Sequence, residues 1–370
     1  MPGETRPSIR SVLHLLWLGG SLSLAPDHQA AAQWTTAPVT AAGLQYRTFW
    51  SPSLQATVSF HVFLPTAYTT NPTASFPTLY WLHGSGSPTA GIPQTRTWFA
   101  NAMDQGLIPP MLVVFPNGKG PLNPSMWCNS KNGTVPMETV VIDELIPHVD
   151  ASFRTIASRR GRILEGFSMG GSGGGRLALR RPDLFSAVSM LGAGPMQLNF
   201  MDAPDGTDVP PKQRALLYEL VWGSDPAYYL AQHPWTIATQ RAQAHIASCM
   251  KIRIGVGTLD EMYPANQEFH EHLLSLGVPH QFIAVGGVGH APDLTLQGLG
   301  PDTWNFYVEA LATPCRDTAD IDCSGAVDAI DLAAVLAAWG AGSGAADVNG
   351  SGTIDGADLA RLLSAWGPVP

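Results

Sequence analysis

The chain has 370 residues, of which 45% are hydrophobic and 13% are charged, and its formal net charge is −9. This length favours two structural units, and the hydrophobic content excludes disorder for most of the chain. The acidic balance, without any run of Lys or Arg, excludes a nucleic-acid partner. The acidity is concentrated near the end, because residues 315–370 contain eight Asp and two Arg.

The first 32 residues have the organisation of a signal peptide. Arg6 and Arg10 give a positive start, residues 11–24 are mostly apolar, and Ala30–Ala32 offers a small-residue cleavage site. The alternative is a membrane anchor, but the apolar stretch is shorter than the ~20 residues of a spanning helix. The sequence therefore predicts a secreted protein that is not an integral membrane protein.

Four cysteines in an exported chain permit two disulfides. Cys315 and Cys323 are near neighbours and form one plausible pair, which leaves Cys128 with Cys249. Buried thiols are the alternative for this second pair.

Residues 33–313 alternate between strand-like and helix-like segments. Short apolar runs closed by turn residues predict buried strands, and apolar residues at helical spacing predict helices. The predicted strands are 57–64 (antiparallel), 77–82, 111–115, 162–165, 251–256 and 281–285, and the predicted helices are 137–153, 263–276 and 302–312. Strands that alternate with helices indicate a doubly wound α/β domain with a mostly parallel sheet.

A candidate nucleophile lies in the segment Gly166–Gly170, which reads Gly-Phe-Ser-Met-Gly. This matches G-x-S-x-G between a predicted strand and a predicted helix, where small residues permit a sharp turn that exposes Ser168. The N–H of Met169 can then point at the oxygen of a reacting carbonyl group. The alternatives are a glycine-rich turn without a chemical role and a phosphate-binding loop, whose spacing this segment does not match.

Serine needs a base to become a nucleophile, and the base needs an acid to orient it. In the α/β-hydrolase order of Ser, acid and His, Asp260 follows the predicted strand 251–256, and His290 follows the strand 281–285. Both lie at carboxyl ends of strands, where loops converge on one crevice. We therefore predict Ser168, Asp260 and His290 as a catalytic triad, with Glu261 as the alternative acid.

The loop after the strand 77–82 begins with His83-Gly84-Ser85 and is in place to complete an oxyanion hole. We predict the N–H of Ser85 as its second donor beside that of Met169, with Gly84 as the alternative. His83 is expected to have a structural role.

Residues 314–370 contain a repeat with an offset of 27 residues. Each copy spaces oxygen-bearing residues as a calcium loop does, with Gly325 and Gly352 at the turn. The predicted ligands are Asp320, Asp322, Ser324, Ala326 (carbonyl), Asp328 and Asp331 in the first copy, and Asp347, Asn349, Ser351, Thr353 (carbonyl), Asp355 and Asp358 in the second. The sequence predicts a small all-α module with two structural calcium ions, while no cofactor is expected for catalysis.

Residues 45–312 resemble the esterase group of α/β-hydrolases that contains feruloyl and acetylxylan esterases, the esterase D type and mycolyltransferase-like proteins. The resemblance rests on residues 48–52 (TFWSP), 80–84 (YWLHG), 144–150 (ELIPHVD), 153–155 (FRT), 166–171 (GFSMGG) and 181–185 (RPDLF). It implies an α/β-hydrolase fold and supports the three catalytic roles above. The run Ser172-Gly173-Gly174-Gly175 departs from the bulkier residues usual in the group, and it permits either close helix–sheet packing or a looser site.

The repeat resembles a dockerin type I module, since it has Asp at the twelfth loop position and one helix after each loop. Dockerins usually bind cohesin domains of a scaffold protein. Ala329-Ile330 and Gly356-Ala357 depart from the hydroxyl-bearing pair common in cohesin-binding members, so the partner is either cohesin-like or another cell-surface component.

These observations predict a secreted serine ester hydrolase that acts through an acyl-enzyme on ester groups of plant polysaccharides, such as feruloyl or acetyl groups. The alternatives are a polyester depolymerase or acyltransferase with the same triad, and a non-catalytic secreted binding protein with a relic hydrolase domain.

Overall fold

The computed structural model describes residues 34–120, 125–203, 211–300, 303–312, 319–321, 326–341, 346–349 and 351–369. The predicted signal peptide, the predicted domain boundary at 313/314, and Cys315 and Cys323 lie outside the described residues. Among the described residues, no helix is both long enough and apolar enough to cross a membrane.

An eight-stranded sheet forms the centre of the first unit. Its strands run in the order β1-β2-β4-β3-β5-β6-β7-β8. The pairs β1/β2 and β2/β4 are antiparallel, and the other pairs are parallel. The strands are β1 (Leu44–Ser51), β2 (Ala56–Phe63), β3 (Thr78–Leu82), β4 (Leu112–Pro116), β5 (Arg162–Phe167), β6 (Ala187–Leu191), β7 (Lys251–Gly257) and β8 (Gln281–Val285).

Helices cover both faces of this sheet. Two apolar clusters lie on the two faces, as expected for central strands whose residues are all buried. The helices are α1 (Thr66–Thr70), α2 (Ile92–Asp104), α3 (Met137–Thr139), α4 (Ile146–Ser152), α5 (Met169–Arg180), α6 (Pro211–Trp222), α7 (Pro226–Gln232), α8 (Pro234–Ser248), α9 (Tyr263–Ser275), α10 (Pro292–Gly298) and α11 (Thr303–Ala312), with a π-helical segment at Val140–Leu145.

The predicted mostly parallel α/β sheet is confirmed, and each predicted strand is present with its ends shifted by at most two residues. Prediction omitted β1, β6, α1, α2, α10 and the group α6–α8. In α6 the apolar residues do not gather on one face, so its sequence carries little helical periodicity.

A buried charged network ties the last helix to the sheet. The Arg253 guanidinium on β7 donates to Glu165 Oε1 on β5 at 3.0 Å, and the Tyr307 hydroxyl on α11 donates to Glu165 Oε2 at 2.8 Å. All three side chains are buried. These contacts hold α11 against the strand that leads into Ser168. Breaking them would be costly, because removal of one partner would leave a buried charge uncompensated.

The plausible pairing of Cys128 with Cys249 is wrong in this structure, since the two residues are not joined. The Cys128 thiol donates instead to the carbonyl oxygen of Asn129 at 3.2 Å. Cys128 is buried in the large apolar cluster, so it behaves there as a small apolar side chain.

The C-terminal repeat folds as two helices, α12 (Ala329–Ala337) and α13 (Gly356–Ser364), with a short pair of strands, β9 (Ala326–Val327) and β10 (Gly367–Pro368). A separate apolar cluster lies within this unit. Both helices begin with a capping box, formed by Asp328 with Asp331 in α12 and by Asp355 with Asp358 in α13. The same local contacts therefore recur in both copies of the repeat.

Three buried histidines predict that stability falls in acid. Burial lowers the pKa of His83 and His245 to about 4 and that of His233 to about 3. Between pH 6.5 and 4 these histidines are protonated in the unfolded chain but neutral in the folded one. The free energy of unfolding should therefore decrease as the pH falls, by about 1.4 kcal/mol per pH unit for each histidine.

Urea denaturation of wild type and His245→Leu at pH 7.0 and 4.5 checks this expectation. Both ring nitrogens of His245 lack a hydrogen-bond partner among the described residues, so the leucine removes a proton-binding group without breaking a hydrogen bond. The variant should depend less steeply on pH, and equal dependence in the two proteins would contradict the assignment.

Candidate active site

Ser168 occupies a sharp turn between β5 and α5. Its φ of 57° and ψ of −119° are rarely adopted by a residue with a side chain, so the turn stores strain. The Ser168 N–H donates to Leu191 O at 2.9 Å, and the Ser168 carbonyl accepts from Gly194 N at 3.0 Å. Neighbouring backbone thus holds this conformation, which is the exposed nucleophile turn expected from G-x-S-x-G.

Glycines make this turn possible. A Cβ on Gly170 would lie 1.9 Å from Leu82 O, and one on Gly166 would lie 2.4 Å from Gly170 O. Further along α5, a Cβ on Gly173 would lie 2.5 Å from the Trp127 side chain, and one on Gly175 would lie 2.5 Å from Met190 Cε. Of the two possibilities left open for this glycine run, the structure shows close packing.

His290 lies between Ser168 and Asp260. Its Nε2 is 2.9 Å from Ser168 Oγ, and its Nδ1 is 3.0 Å and 2.8 Å from the two Asp260 carboxylate oxygens. Because a carboxylate only accepts, Nδ1 carries the proton, and in the neutral ring Nε2 accepts from the serine hydroxyl. The loops after β7 and β8 thus bring together the three residues chosen from the sequence.

Glu261, the alternative acid, lies close to this arrangement. Ligand atoms of Asp260, Glu261 and His290 all lie within 4.8 Å of one another. Both hydrogen bonds given above for Nδ1 nevertheless go to Asp260, whose Oδ1 also accepts from Met262 N at 2.8 Å. The geometry therefore favours Asp260 as the orienting acid.

Met169 and the loop after β3 lie around Ser168. As the first residue of α5, Met169 has an N–H without an acceptor inside the helix. Ser85 lines a cavity together with Ser168 and Met169, and a Cβ on Gly84 would lie 3.3 Å from Ser168 Cβ. Both candidate donors on this loop are therefore next to the serine.

Hydrogen bonds of His83 hold the loop after β3 in place. Its Nδ1 lies 2.6 Å from Gly84 O, its Nε2 accepts from Gly118 N at 3.0 Å, and its carbonyl accepts from Trp127 Nε1 at 3.1 Å. Burial lowers the pKa of His83 to about 4, so the ring is neutral near pH 7 and can donate through one nitrogen while it accepts at the other. The sequence did not indicate that Gly118 and Trp127 would contact His83, because neither contact belongs to a local motif.

Two cavities meet at Ser168. The first is about 30 Å³, and most of its lining is apolar: Ser85, Met126, Ser168, Met169, Gly194, Pro195, Phe200, Ala203, Arg214, Leu217 and Met262. The second is about 180 Å³ and contains His290, with Trp81, His83, Gly84, Ser85, Gly86, Ser87, Ala90, Gly91, Thr95, Phe167, Ser168 and Pro292. The serine is therefore accessible from two sides with different chemistry.

The second predicted calcium loop lies mostly within the described residues. Asp347 accepts from the N–H groups of Ser351 and Gly352 at 2.9 Å and 2.8 Å, and Gly352 has a φ of 86° at the sharp turn. The Asp358 carboxylate is buried and accepts from Asp355 N, a hydrogen bond that lowers its pKa. An oxygen-only donor set with a buried carboxylate fits calcium.

In the first loop, Asp320, Ala326, Asp328 and Asp331 are described, whereas Asp322 and Ser324 lie outside the described residues. The Asp331 carboxylate is buried and accepts from Asp328 N at 2.8 Å, as Asp358 does from Asp355. The described part of this loop therefore repeats the arrangement of the second.

The fold and the serine–histidine–aspartate geometry together define an α/β-hydrolase. Residues 51–277 match the family described as "Putative esterase", and residues 318–365 match the dockerin type I domain. The chain belongs to this esterase family and ends in a dockerin type I domain, a kind of domain that binds calcium.

Curated relatives cover parts of the chain. An endo-1,4-beta-xylanase/feruloyl esterase of Xylanibacter ruminicola is 31% identical over 163 residues, which are 41% of this chain and 22% of that protein. An esterase of Mycobacterium tuberculosis is 29% identical over 266 residues, which are 66% of this chain and 54% of that protein. The chain thus spans about a fifth and about half of the length of these two relatives.

Solved structures share the fold. A ferulic acid esterase aligns with a TM-score of 0.55 at 22% identity, over 72% of this chain and 94% of the other. A fluorophosphonate-binding serine hydrolase of Staphylococcus aureus also aligns with a TM-score of 0.55, at 20% identity, over 73% of this chain and 98% of the other. The predicted α/β-hydrolase fold is confirmed.

The close approach at Gly170 predicts the effect of adding one methyl group. Gly170→Ala should destabilise the protein by about 3 kcal/mol or more and abolish ester hydrolysis, because a Cβ cannot lie 1.9 Å from a carbonyl oxygen. Thermal unfolding and turnover of p-nitrophenyl acetate measure the two effects.

Gly174→Ala is the matched control in the same helix. The nearest atom to its added Cβ would be 3.8 Å away, and alanine favours a helix over glycine by about 1 kcal/mol. This variant should be as stable as wild type or more stable, with full activity. A similar loss in both variants would contradict the packing argument.

Proposed function

We propose that the protein is a secreted serine esterase that hydrolyses ester groups through an acyl-enzyme, with Ser168, Asp260 and His290 as its triad. The hydrogen-bonded series from Asp260 through His290 to Ser168 Oγ is the observation that carries this proposal. Membership of the esterase family supports the reaction class.

The proposed reaction has two steps. His290 Nε2 takes the proton of Ser168 as Oγ attacks the ester carbonyl, and the Met169 and Ser85 N–H groups hold the oxyanion. The protonated His290 then gives its proton to the departing alcohol, and an acyl-serine remains. Water activated by the neutral imidazole attacks this acyl-serine and releases the acid. Asp260 keeps the ring oriented and stabilises its charge in both steps.

The 30 Å³ cavity favours a small acyl group. It lies beside both proposed oxyanion donors, where the acyl part of an ester must sit once its carbonyl oxygen points at them. A volume of roughly 10–15 Å³ on this scale holds one water, so the cavity has room for a group of the size of an acetyl. Phe200 and Leu217 are among the apolar side chains that line it.

A polysaccharide is the proposed source of the alcohol. Two observations support it: one relative is named as a xylanase/feruloyl esterase, and a dockerin domain follows the hydrolase unit. A polyester depolymerase and an acyltransferase on the same triad are the rival activities. They predict, respectively, turnover of an insoluble polyester and transfer to an acceptor alcohol in preference to water.

Substitution of the proposed acid and of its neighbour tests the triad. Asp260→Asn should lower kcat by about 10⁴ because it disturbs the orientation and charge of His290, and Ser168→Ala should lower it at least as much. Glu261→Gln is the adjacent control and should change kcat less than about tenfold, since the hydrogen bonds of Nδ1 to Asp260 remain.

The assay compares p-nitrophenyl acetate with methyl ferulate, and the acetate should be turned over faster. Full activity in Ser168→Ala would refute the proposed nucleophile. A folded wild-type protein inactive on both esters would favour the non-catalytic binding protein.

For the C-terminal unit we propose two structural calcium ions and a role in attachment outside the cell. Its exposed side chains recur at the repeat offset: Leu336 with Leu363, and Trp339 with Trp366, the two tryptophans each being 49% exposed. Two equivalent apolar sites on one small unit support binding to a protein partner, either a cohesin-like domain or another cell-surface component.

Removal of calcium should unfold the C-terminal unit and leave ester hydrolysis unchanged. The small apolar cluster of this unit provides little stability by itself, so bound metal should supply most of it. Isothermal titration of chelator-treated protein should give two calcium ions per chain, and one each for Asp331→Asn and Asp358→Asn. An unchanged stoichiometry in either variant would contradict the assignment of that loop.

A further inference from the structure

A groove of about 330 Å³ continues from the 180 Å³ cavity that contains His290. The two share Gly91, Thr95 and Pro292, which lie at the first turns of α2 and α10. The groove, which we call the distal groove, is lined by Gly91, Gln94, Thr95, Trp98, Pro292, Asp293, Leu296 and Gln297. One continuous surface therefore leads from Ser168 to the first two turns of α2.

The lining of the distal groove combines an aromatic ring with exposed hydrogen-bonding groups. Trp98 is half-buried, and Trp304 of α11 supports it with a ring-centroid distance of 5.0 Å. Gln94, Asp293 and Gln297 are exposed. An indole ring offers an apolar face to the C–H groups of a pyranose, while carboxamides and a carboxylate bind its hydroxyls.

The charge of the distal groove favours a neutral ligand. Among the described residues that line it, Asp293 is the only charged one, and none of those lining the adjoining cavity is Lys, Arg, Asp or Glu. The Lys119 ammonium lies beside that cavity, where it donates to Ser85 O at 3.5 Å and to Gly86 O at 3.3 Å. An anionic chain such as a polyuronate would be repelled by Asp293 in the distal groove, and it would find no cation among the described residues that line that groove.

The position of His290 decides which half of the ester enters the distal groove. The imidazole must protonate the departing alcohol oxygen, so the alcohol lies on the His290 side of Ser168. The acyl group lies on the other side, in the cavity that contains Met169 and Phe200. An alcohol larger than one ring must therefore extend along the cavity towards Trp98.

We propose that the distal groove is a binding subsite for a neutral saccharide chain, namely the polysaccharide that carries the ester. This inference rests on the proposed esterase function and adds a binding site for the alcohol part of the ester. Trp98 is the stacking platform, and Gln94 and Gln297 hydrogen bond to the sugar hydroxyls. The subsite determines specificity through KM, because it is remote from the reacting atoms and binds ground state and transition state alike.

Binding can be measured without catalysis. Ser168→Ala should bind xylohexaose, an unesterified neutral chain, in isothermal titration, and hexagalacturonate much more weakly. Adding Trp98→Ala to this variant should weaken xylohexaose binding about tenfold. Trp50→Ala is the control and should leave the binding unchanged, since Trp50 is 58% exposed on β1 and lines neither surface. A Gln94→Ala/Gln297→Ala pair, both exposed, gives a second variant whose folding is not at risk.

Kinetics provide the second readout. In the active enzyme, Trp98→Ala should raise KM for acetylated xylan about tenfold, while kcat/KM for p-nitrophenyl acetate stays within about twofold. Absence of xylohexaose binding, equal binding of hexagalacturonate, or equal loss on both esters would overturn the subsite. If wild type did not hydrolyse p-nitrophenyl acetate, the esterase function would be refuted instead. The binding experiment does not depend on that function, because it measures binding without catalysis.

Discussion

The contact between α5 and the end of β3 is the constraint on which the site depends. Because Gly170 lies where any side chain would meet Leu82 O, the helix can begin directly behind the sheet, and the chain must reverse sharply at Ser168. That reversal forces the unusual backbone of the serine and lifts its hydroxyl above the strand ends. The same close approach places the N–H of Met169 next to the His83–Ser85 loop. The proposed nucleophile and the proposed oxyanion donors thus depend on one packing contact.

The parallel sheet then brings the remaining groups to the same edge. Strands β3, β5, β7 and β8 each end at this edge, and their following loops carry Ser85, Ser168, Asp260 and His290. Neutral His83 links the β3 loop to Gly118 after β4, while the buried Glu165–Arg253 pair fixes β5 against β7 through contacts below the site. His83 therefore brings no charge to the loop of the proposed oxyanion donors, and Glu165 and Arg253 are paired with each other within the sheet.

Different parts of the molecule serve different halves of the proposed substrate. The acyl side is narrow and bounded by Phe200 and Leu217, which lie in the segment after β6. The alcohol side opens over α2 and α10 and has polar and aromatic walls. The C-terminal repeat has its own apolar cluster and its own acidic loops, and its proposed role is to keep the enzyme near its polymer. Attachment and ester hydrolysis are thus the proposed tasks of separate units within one chain.

Local patterns in the sequence determined most strands, and they predicted the nucleophile, the order of acid and base, and the duplicated acidic loops. Each of these depends on residues close together in the chain: a turn that requires glycine, a strand that requires a short apolar run, a loop that requires oxygens at fixed spacing. The tertiary structure supports Asp260 over Glu261 as the acid, since adjacent carboxylates differ only in where their loop points them. It also decided that the glycines of α5 pack against Trp127 and Met190 and that Cys128 and Cys249 are not joined. In the same way it placed Trp98 on a surface continuous with His290. These relations join residues far apart in the chain, and such distances follow from packing rather than from any local pattern.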